Sequence, residues 1–557
     1  MMDRTDLILL HPPSVYDFRK RDDLIFPYFF STIIQVSPML EIFPIGFYNI
    51  ESFLQSRNIK VKIYNLANMM LRDYKFRVED FLVTLKPRIF GIDLHWLIHA
   101  HGALEICKLI KKVNKEIPIL LGGMSASYFY KELIDYPFID FIIRGSIVFH
   151  PLEQLMKKIL KGNSDYSKIP NLCFKKSGKI VINSTKLYSE KNFHPIDWSS
   201  IRELKHKYTD FVMTIPTLGC QYNCPYCGGG REATKKYALQ KKPLLCRSSR
   251  QILSELNSFR NLKKKSLIKN DLFIPGYWHV NNKFRKAILN YVRKMSFFST
   301  LHLELFNLIP KNIIAEITKY TSPVLEISPE SHDLNIRRIC NRASYTNREL
   351  ELWLEKISGL NIKRIIVYFM LGLPRQTRNS VMDTVRYCEQ LLKKFKRNKK
   401  VIPFLSPMIP FLNPASPIFE HPDRYGYRLF YRTLKEHADA LTQVSLKNRL
   451  NYETKWMTRE QIVQVASDSA IELTKAKIRY GYLSPTLGKK ALLKLNALSE
   501  LIAKLDKIDS IKSSDRRLKA LNRISNQVGQ YNKEIMQSKF FEHGYMNTPI
   551  YNFWYEI

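Results

Sequence analysis

No part of this 557-residue chain offers the about 20 unbroken, mostly apolar positions that a membrane-spanning helix needs. The most apolar region, Leu24 to Tyr48, is interrupted by Pro27, Pro38 and Pro44 and carries Glu41. It is expected to form an irregular, partly buried segment; its sharper reading is an apolar surface for a greasy substrate or a membrane face. The run Leu7–Leu10 follows Asp3 and Arg4 and is too short for a signal-peptide core. Cysteine is scarce. Of eight, five stand singly (Cys107, Cys173, Cys246, Cys340 and Cys388), which argues against a disulfide framework and for a reduced, cytoplasmic protein. An internal repeat, a low-complexity tail, a long basic tail and zinc-finger spacing are also missing. What is present is 45% hydrophobic residues, normal for a globular protein, in a chain long enough for two or three domains.

Acidic residues are outnumbered 50 to 88 by Lys and Arg, a net charge of +38. One explanation is a lysine-rich composition throughout. The other is attraction to an anionic partner: nucleic acid, a phosphorylated substrate, or lipid headgroups, which would make the protein peripheral to a membrane surface. The basic residues are dispersed, with short runs only at Lys263–Lys265 and Lys393–Lys400.

The hydrophobic pattern predicts an α/β protein. Asp6–His11 reads as a buried strand stopped by Pro12 and Pro13. Further strands are expected at Val61–Tyr64, Ile89–Asp93, Ile117–Leu121 and Phe138–Ile143, alternating with helices at Gly46–Arg57, His101–Val113 and Leu152–Leu160. That alternation predicts a doubly wound, Rossmann-like parallel sheet over residues 1–165, with ligands bound beyond the strand ends. Residues 166–205 read as a short β-rich connector. A second α/β series over 206–410 has strands near Phe211, Leu272–Ile274, Leu301–Leu305, Val324–Ile327 and Ile365–Met370, the cadence of a partial (β/α) barrel. Residues 411–557 read as mostly helical, with helices at Tyr427–Leu441, Thr458–Ala476 and Lys489–Lys507.

The segment Gly219-Cys220-Gln221-Tyr222-Asn223-Cys224-Pro225-Tyr226-Cys227 carries the chemistry. Thiolates are soft ligands for zinc or iron–sulfur clusters, and a closed zinc site wants four ligands. Three cysteines spaced CxxxCxxC hold three irons of a cubane and leave the fourth open. A closed site using distant Cys246, or unrelated buried cysteines, are the weaker readings. At these residues the chain resembles the radical S-adenosylmethionine (SAM) superfamily, whose motif places an aromatic where Tyr226 stands. The resemblance implies a [4Fe–4S] cluster on Cys220, Cys224 and Cys227, with SAM chelating the open iron. Reduction, by a donor such as flavodoxin or ferredoxin, then yields a 5′-deoxyadenosyl radical that abstracts hydrogen from an unactivated C–H bond. The same resemblance puts Tyr226, Glu330 and Ser331 (in Glu326-Ile327-Ser328-Pro329-Glu330-Ser331) near SAM. It also puts there Gly372 and Pro374, in a Gly-Leu-Pro segment where Arg375 replaces the usual glycine. The family's Gly-Gly-Glu motif is absent; Pro275-Gly276-Tyr277 occupies its region.

Placed before such a barrel, the first α/β series resembles the cobalamin-binding domain of the B12-dependent radical SAM class. The supporting residues are His11-Pro12-Pro13, Asp93-Leu94-His95-Trp96, Gly122-Gly123-Met124-Ser125 and Arg144-Gly145-Ser146. Pro12, Pro13, His95, Gly122, Gly123, Ser125 and Gly145 would accordingly line the corrin. Asp93 and His95 supply the start of a DxHxxG cobalt-ligand motif, but its glycine is missing, and an acidic Gly-Glu stretch is replaced by Gly145-Ser146-Ile147.

The function these features imply is a cobalamin-dependent radical SAM enzyme, a C-methyltransferase or a catalyst of C–C bond chemistry, acting on a small-molecule or lipid substrate. Two alternatives stand beside it: a B12-independent radical SAM enzyme modifying nucleic acid, and a non-catalytic cobalamin sensor or scaffold. His437, Tyr431, Tyr452 and Trp456 are expected to be core or pocket-rim residues rather than site residues.

Overall fold

A computed structural model describes residues 5–25, 45–200, 211–263, 271–278, 282–293, 300–342, 345–407 and 411–536. Most of the apolar Leu24–Tyr48 region lies outside them.

The first sheet grows from short runs of buried apolar residues. β1 (Leu7–His11) is buried along its whole length, as a strand covered on both faces must be. It pairs in parallel with β2 (Val61–Asn65) on one side and β3 (Ile89–Asp93) on the other. β4 (Ile119–Gly122) and β5 (Phe141–Ile143) continue the parallel set. β6 (Leu172–Lys176) and β7 (Lys179–Ile182) then add an antiparallel edge, so the stretch read as a connector is built into the sheet. The order is β2-β1-β3-β4-β5-β6-β7. Strand order therefore reverses between β1 and β3, and a crevice opens there beyond the carboxyl ends.

The second sheet is parallel throughout, from β8 (Phe211–Met213) at one edge. It continues through β11 (Asp271–Ile274), β12 (Thr300–Leu305), β13 (Val324–Glu330) and β14 (Arg364–Leu371) to β15 (Val401–Pro407). Six strands make an open barrel. β15 was not anticipated from the sequence. It carries Pro403 and Pro407, and proline is tolerated at a sheet edge, where its missing N–H is not needed. Between β8 and β11, β9 (Thr217–Gly219) and β10 (Leu244–Cys246) form a separate antiparallel pair that frames the cysteine segment.

The C-terminal part is helical, at Arg459–Arg479, Pro485–Asp509 and Ser514–Met536. The expected helix over Tyr427–Leu441 is corrected. Its first residues form β16 (Tyr427–Leu429), paired with β17 (Tyr452–Thr454), and the helix starts only at Leu434. The signal for that start is a capping box: Thr433 and Glu436 satisfy each other's backbone N–H groups. This helix packs on the first domain, where Glu132 accepts from the N–H groups of Leu434 (2.8 Å) and Lys435 (2.9 Å). A carboxylate at a helix N-terminus is favoured by the exposed N–H groups and the helix dipole.

One apolar cluster runs from Leu7 and Leu9 of the first sheet into Leu303, Ile327 and Val367 of the barrel, so the two α/β units share a core. A second lies on the opposite face of the first sheet around Ile8, Leu10 and Ile106. Among the described residues, no helix is long and apolar enough to cross a membrane.

Candidate functional site

Cys220 follows β9 directly, and the segment to Cys227 wraps across the barrel mouth. Cys224 is buried, while Cys220 and Cys227 are half-buried. Backbone N–H groups already point at sulfur: Tyr222 N lies 3.4 Å from Cys220 Sγ and Gly229 N 3.4 Å from Cys227 Sγ. Such donors stabilise anionic sulfur and are one lever by which proteins tune iron–sulfur centres. The Tyr277 hydroxyl lies 3.1 Å from Cys220 Sγ and accepts from Gln221 N at 3.3 Å. Burial, with Glu330 and the neighbouring thiols, raises the Cys224 thiol to about 12 against the opposing Arg342 guanidinium; burial likewise raises Cys227. The thiols thus lie in one another's field, and a metal has to displace their protons to bind. Among the described residues, no three His, Cys, Asp or Glu side chains form a group that could hold a metal ion. Three thiols at this spacing, with backbone N–H groups directed at two of the sulfurs, have the donor chemistry of an iron–sulfur cluster.

Beneath the cysteines lies a buried charge pair. Arg342 Nε is 3.3 Å from Glu330 Oε1. The guanidinium also sits 4.2 Å from the Phe306 ring centroid and 5.4 Å from that of Tyr222. Tyr226 lies beside the same carboxylate, whose charge, after burial, contributes to raising the phenol. Glu330 and Tyr226 are therefore neighbours. Ser331 is fully buried and takes a different part: its hydroxyl accepts from Asp333 N at 3.1 Å, and its carbonyl accepts from Arg337.

Gly372 follows β14 in the left-handed region, with φ of 91°. A Cβ there would stand 2.6 Å from the Tyr452 hydroxyl, and the Gly372 carbonyl accepts from Tyr427 at 2.5 Å. The group that approaches this glycine is thus a pair of C-terminal tyrosines. Pro374 is buried, and Arg375 is exposed with a positive φ. Gln376 closes the loop, accepting from Leu373 N and donating to the Met370 carbonyl, each at 2.9 Å.

The predicted corrin-lining residues converge at the strand ends of the first sheet. Pro12 and Pro13 are buried after β1. Gly122 accepts from Leu94 N at 2.9 Å. Gly123 lies so close to the next loop that a Cβ would meet the His95 backbone at 2.6 Å. Ser125 donates from both N–H (3.1 Å) and hydroxyl (3.0 Å) to the His95 carbonyl. Asp93 accepts from His95 N at 3.0 Å. Its other oxygen lies 3.1 Å from the imidazole of His11, not of His95. Gly145 donates to the Ser127 hydroxyl at 2.9 Å and faces the barrel, packing on Ala238 and Leu239.

The two units meet here. Ser146 N–H and hydroxyl both donate to the Ala238 carbonyl, and Gln240 donates to the Ser146 hydroxyl at 3.0 Å. Gln240 also lies against Gly219, next to Cys220. One short segment therefore touches the strand-end loops and the cysteine loop. Sequence reasoning missed Tyr277, Arg342 and Gln240, which are distant in the chain from the groups they contact. Only the Pro275–Tyr277 stretch carried a signal, as an unusual replacement after a barrel strand. His437 and Tyr452 are fully buried, as expected of core residues.

A B12-binding domain model matches residues 32–147. No curated protein matches the chain. Among solved structures, the radical S-adenosylmethionine methyltransferase TsrM from Kitasatospora setae, with cobalamin and a [4Fe–4S] cluster bound, is 13% identical. The match covers 91% of this chain and 100% of that one, with a TM-score of 0.58. The cobalamin-dependent S-adenosylmethionine radical enzyme OxsB, with aqua-cobalamin and S-adenosylmethionine bound, is 14% identical. There the match covers 95% of this chain and 84% of that one, with a TM-score of 0.58. At these identities the likeness is one of fold, and it extends through all three parts of the chain.

Proposed function

We propose that this chain, which carries a B12-binding domain and has the fold of cobalamin-dependent radical SAM enzymes, is itself such an enzyme, using a [4Fe–4S] cluster, SAM and cobalamin. The observation that carries the reading is the meeting of two sites. The Cys220–Cys227 loop and the strand ends of the first sheet are joined through Gln240, Ser146 and Ala238. A cluster with SAM supplies an oxidant able to take hydrogen from an unactivated carbon, and a corrinoid supplies a methyl group or a radical partner for it.

The chain's own residues hold and enclose these groups. Cys220, Cys224 and Cys227 would ligate three irons. Tyr277 and the N–H groups of Tyr222 and Gly229 orient and stabilise the sulfurs. The Arg342–Glu330 pair fixes the floor of the loop, and the aromatic rings of Tyr222, Tyr277 and Phe306 pack around it and keep water out. Substrate would enter between the two units, and the outcome would be methyl transfer to carbon or C–C bond chemistry.

The reading is tested by reconstituting the protein anaerobically with iron, sulfide and hydroxocobalamin, desalting it, and recording its absorbance. Retention of both cluster and corrinoid bands is expected. A cluster without corrinoid removes the cobalamin half and favours a B12-independent activity, for which steeply salt-dependent RNA binding would be the sign.

A further inference from the structure

Pro275-Gly276-Tyr277 follows β11, where a Gly-Gly-Glu motif was expected. Gly276 turns through the left-handed region, with φ of 73°, and the residue beyond it meets the cysteine segment. Tyr277 is buried, and its ring is clamped. Tyr222 stacks on it, with centroids 6.0 Å apart and planes 19° from parallel, and Phe306 meets it edge-on at 4.9 Å. The next residue anchors the turn: the Trp278 indole N–H donates to the Glu304 carbonyl at 2.9 Å. The hydroxyl so placed lies 3.1 Å from Cys220 Sγ and 3.3 Å from Gln221 N.

With a free thiol, either partner could donate across the Tyr277–Cys220 contact. Binding to iron settles the direction. A metal-bound sulfur is a thiolate and has no proton to give. A phenol keeps its hydrogen at neutral pH, and the oxygen of Tyr277 already accepts from Gln221 N. The O–H is left to point at sulfur. It adds to Tyr222 N, 3.4 Å from the same atom, so Cys220 gathers two donors. Reduction puts one more negative charge on a cluster, and a donor to sulfur stabilises the more negative state by more. We infer that Tyr277 is a positioning residue for the cluster: by donating to Cys220 it raises the reduction potential and eases the electron entry that SAM cleavage requires. The inference rests on the cluster reading above. No bond forms or breaks at Tyr277, and the electron comes from an external low-potential, one-electron donor.

The test is a redox titration of the anaerobically reconstituted full chain, with the reduced cluster followed by electron paramagnetic resonance. Tyr277→Phe keeps the ring and removes the donor. It should bind as much iron and sulfide as wild type, yet its ratio of reduced to oxidised cluster at a set potential should fall about tenfold, a shift of about 59 mV to more negative potential for a one-electron couple. Tyr222→Phe removes a hydroxyl from the same stack, one that accepts from Asn307 and not one aimed at sulfur, and should leave the potential where it is. An unchanged or raised potential in Tyr277→Phe, or an equal shift in Tyr222→Phe, overturns the inference. Should Tyr277→Phe fail to fold, protein grown with 3-fluorotyrosine decides the matter. Its more acidic phenol is a stronger donor and should raise the potential, and a potential that does not rise overturns the inference. A wild type that assembles no reducible cluster sinks the cluster reading and this inference with it, whereas a reducible cluster indifferent to Tyr277 sinks this inference only.

Discussion

His437 offers a stability prediction whose size follows from its surroundings. The imidazole is fully buried between Phe411, Phe419 and Phe129. Nδ1 donates to the Thr433 carbonyl at 2.7 Å and Nε2 accepts from Asn451 at 3.0 Å, a network that needs the neutral ring. Burial lowers its pKa to about 4, with the Thr433 carbonyl and Glu436 opposing. Unfolded, the ring titrates near the ordinary imidazole value of 6.5. Between these values the unfolded chain binds the extra proton, so stability is fully present above about pH 6.5 and is lost as pH falls toward 4. At about 1.36 kcal/mol per unit, the contribution lost between about pH 7 and pH 4.5 is about 2.5 kcal/mol. Other groups also titrate there, so the informative quantity is the stability gap between wild type and His437→Gln. Urea unfolding followed by circular dichroism at several pH values measures it. The gap should shrink by about 2–3 kcal/mol across that window. A gap independent of pH would refute a buried neutral His437.

Two further perturbations test the scaffold. Gly372→Ala places a methyl against buried Tyr452 at a positive φ and should cost about 2–4 kcal/mol, read as a lowered thermal midpoint. An unchanged midpoint would mean that Tyr452 can move aside. Glu255 accepts from Arg247 (2.7 Å), Thr214 (2.7 Å) and Ile196 N (3.0 Å) in full burial. Glu255→Gln leaves the Arg247 charge uncompensated and should cost about 3–5 kcal/mol in urea denaturation. A loss below about 1 kcal/mol would place that pair in effective contact with water.

What could be read from the sequence was what local chemistry writes locally. β1 is a run of buried aliphatics closed by two prolines. The cysteine loop is a spacing, and the alternation of strands and helices carries both α/β units. What could not be read depends on distant partners. β15 was hidden by Pro403 and Pro407, which only an edge position excuses. β6 and β7 gave no sign that they would close the first sheet. The start of β16 mimics helical spacing, and only its pairing with β17 makes it a strand. At the site, the DxH pattern drew attention to His95, whereas the folded chain brings His11, 82 residues from Asp93, to the carboxylate. Gly372 was read as an opening for a cofactor, and its immediate neighbours are Tyr427 and Tyr452. In each case the contact depended on tertiary packing that the motif does not encode.

The central claim is that Cys220, Cys224 and Cys227 form a radical-generating site. It is tested most directly by measuring 5′-deoxyadenosine released from SAM by the anaerobically reconstituted, dithionite-reduced protein, beside Cys224→Ala treated identically. Release by the wild type, with none above background from a Cys224→Ala protein of unchanged circular dichroism, is the predicted result. No release from wild type carrying a full complement of iron, or equal release from both proteins, would contradict it.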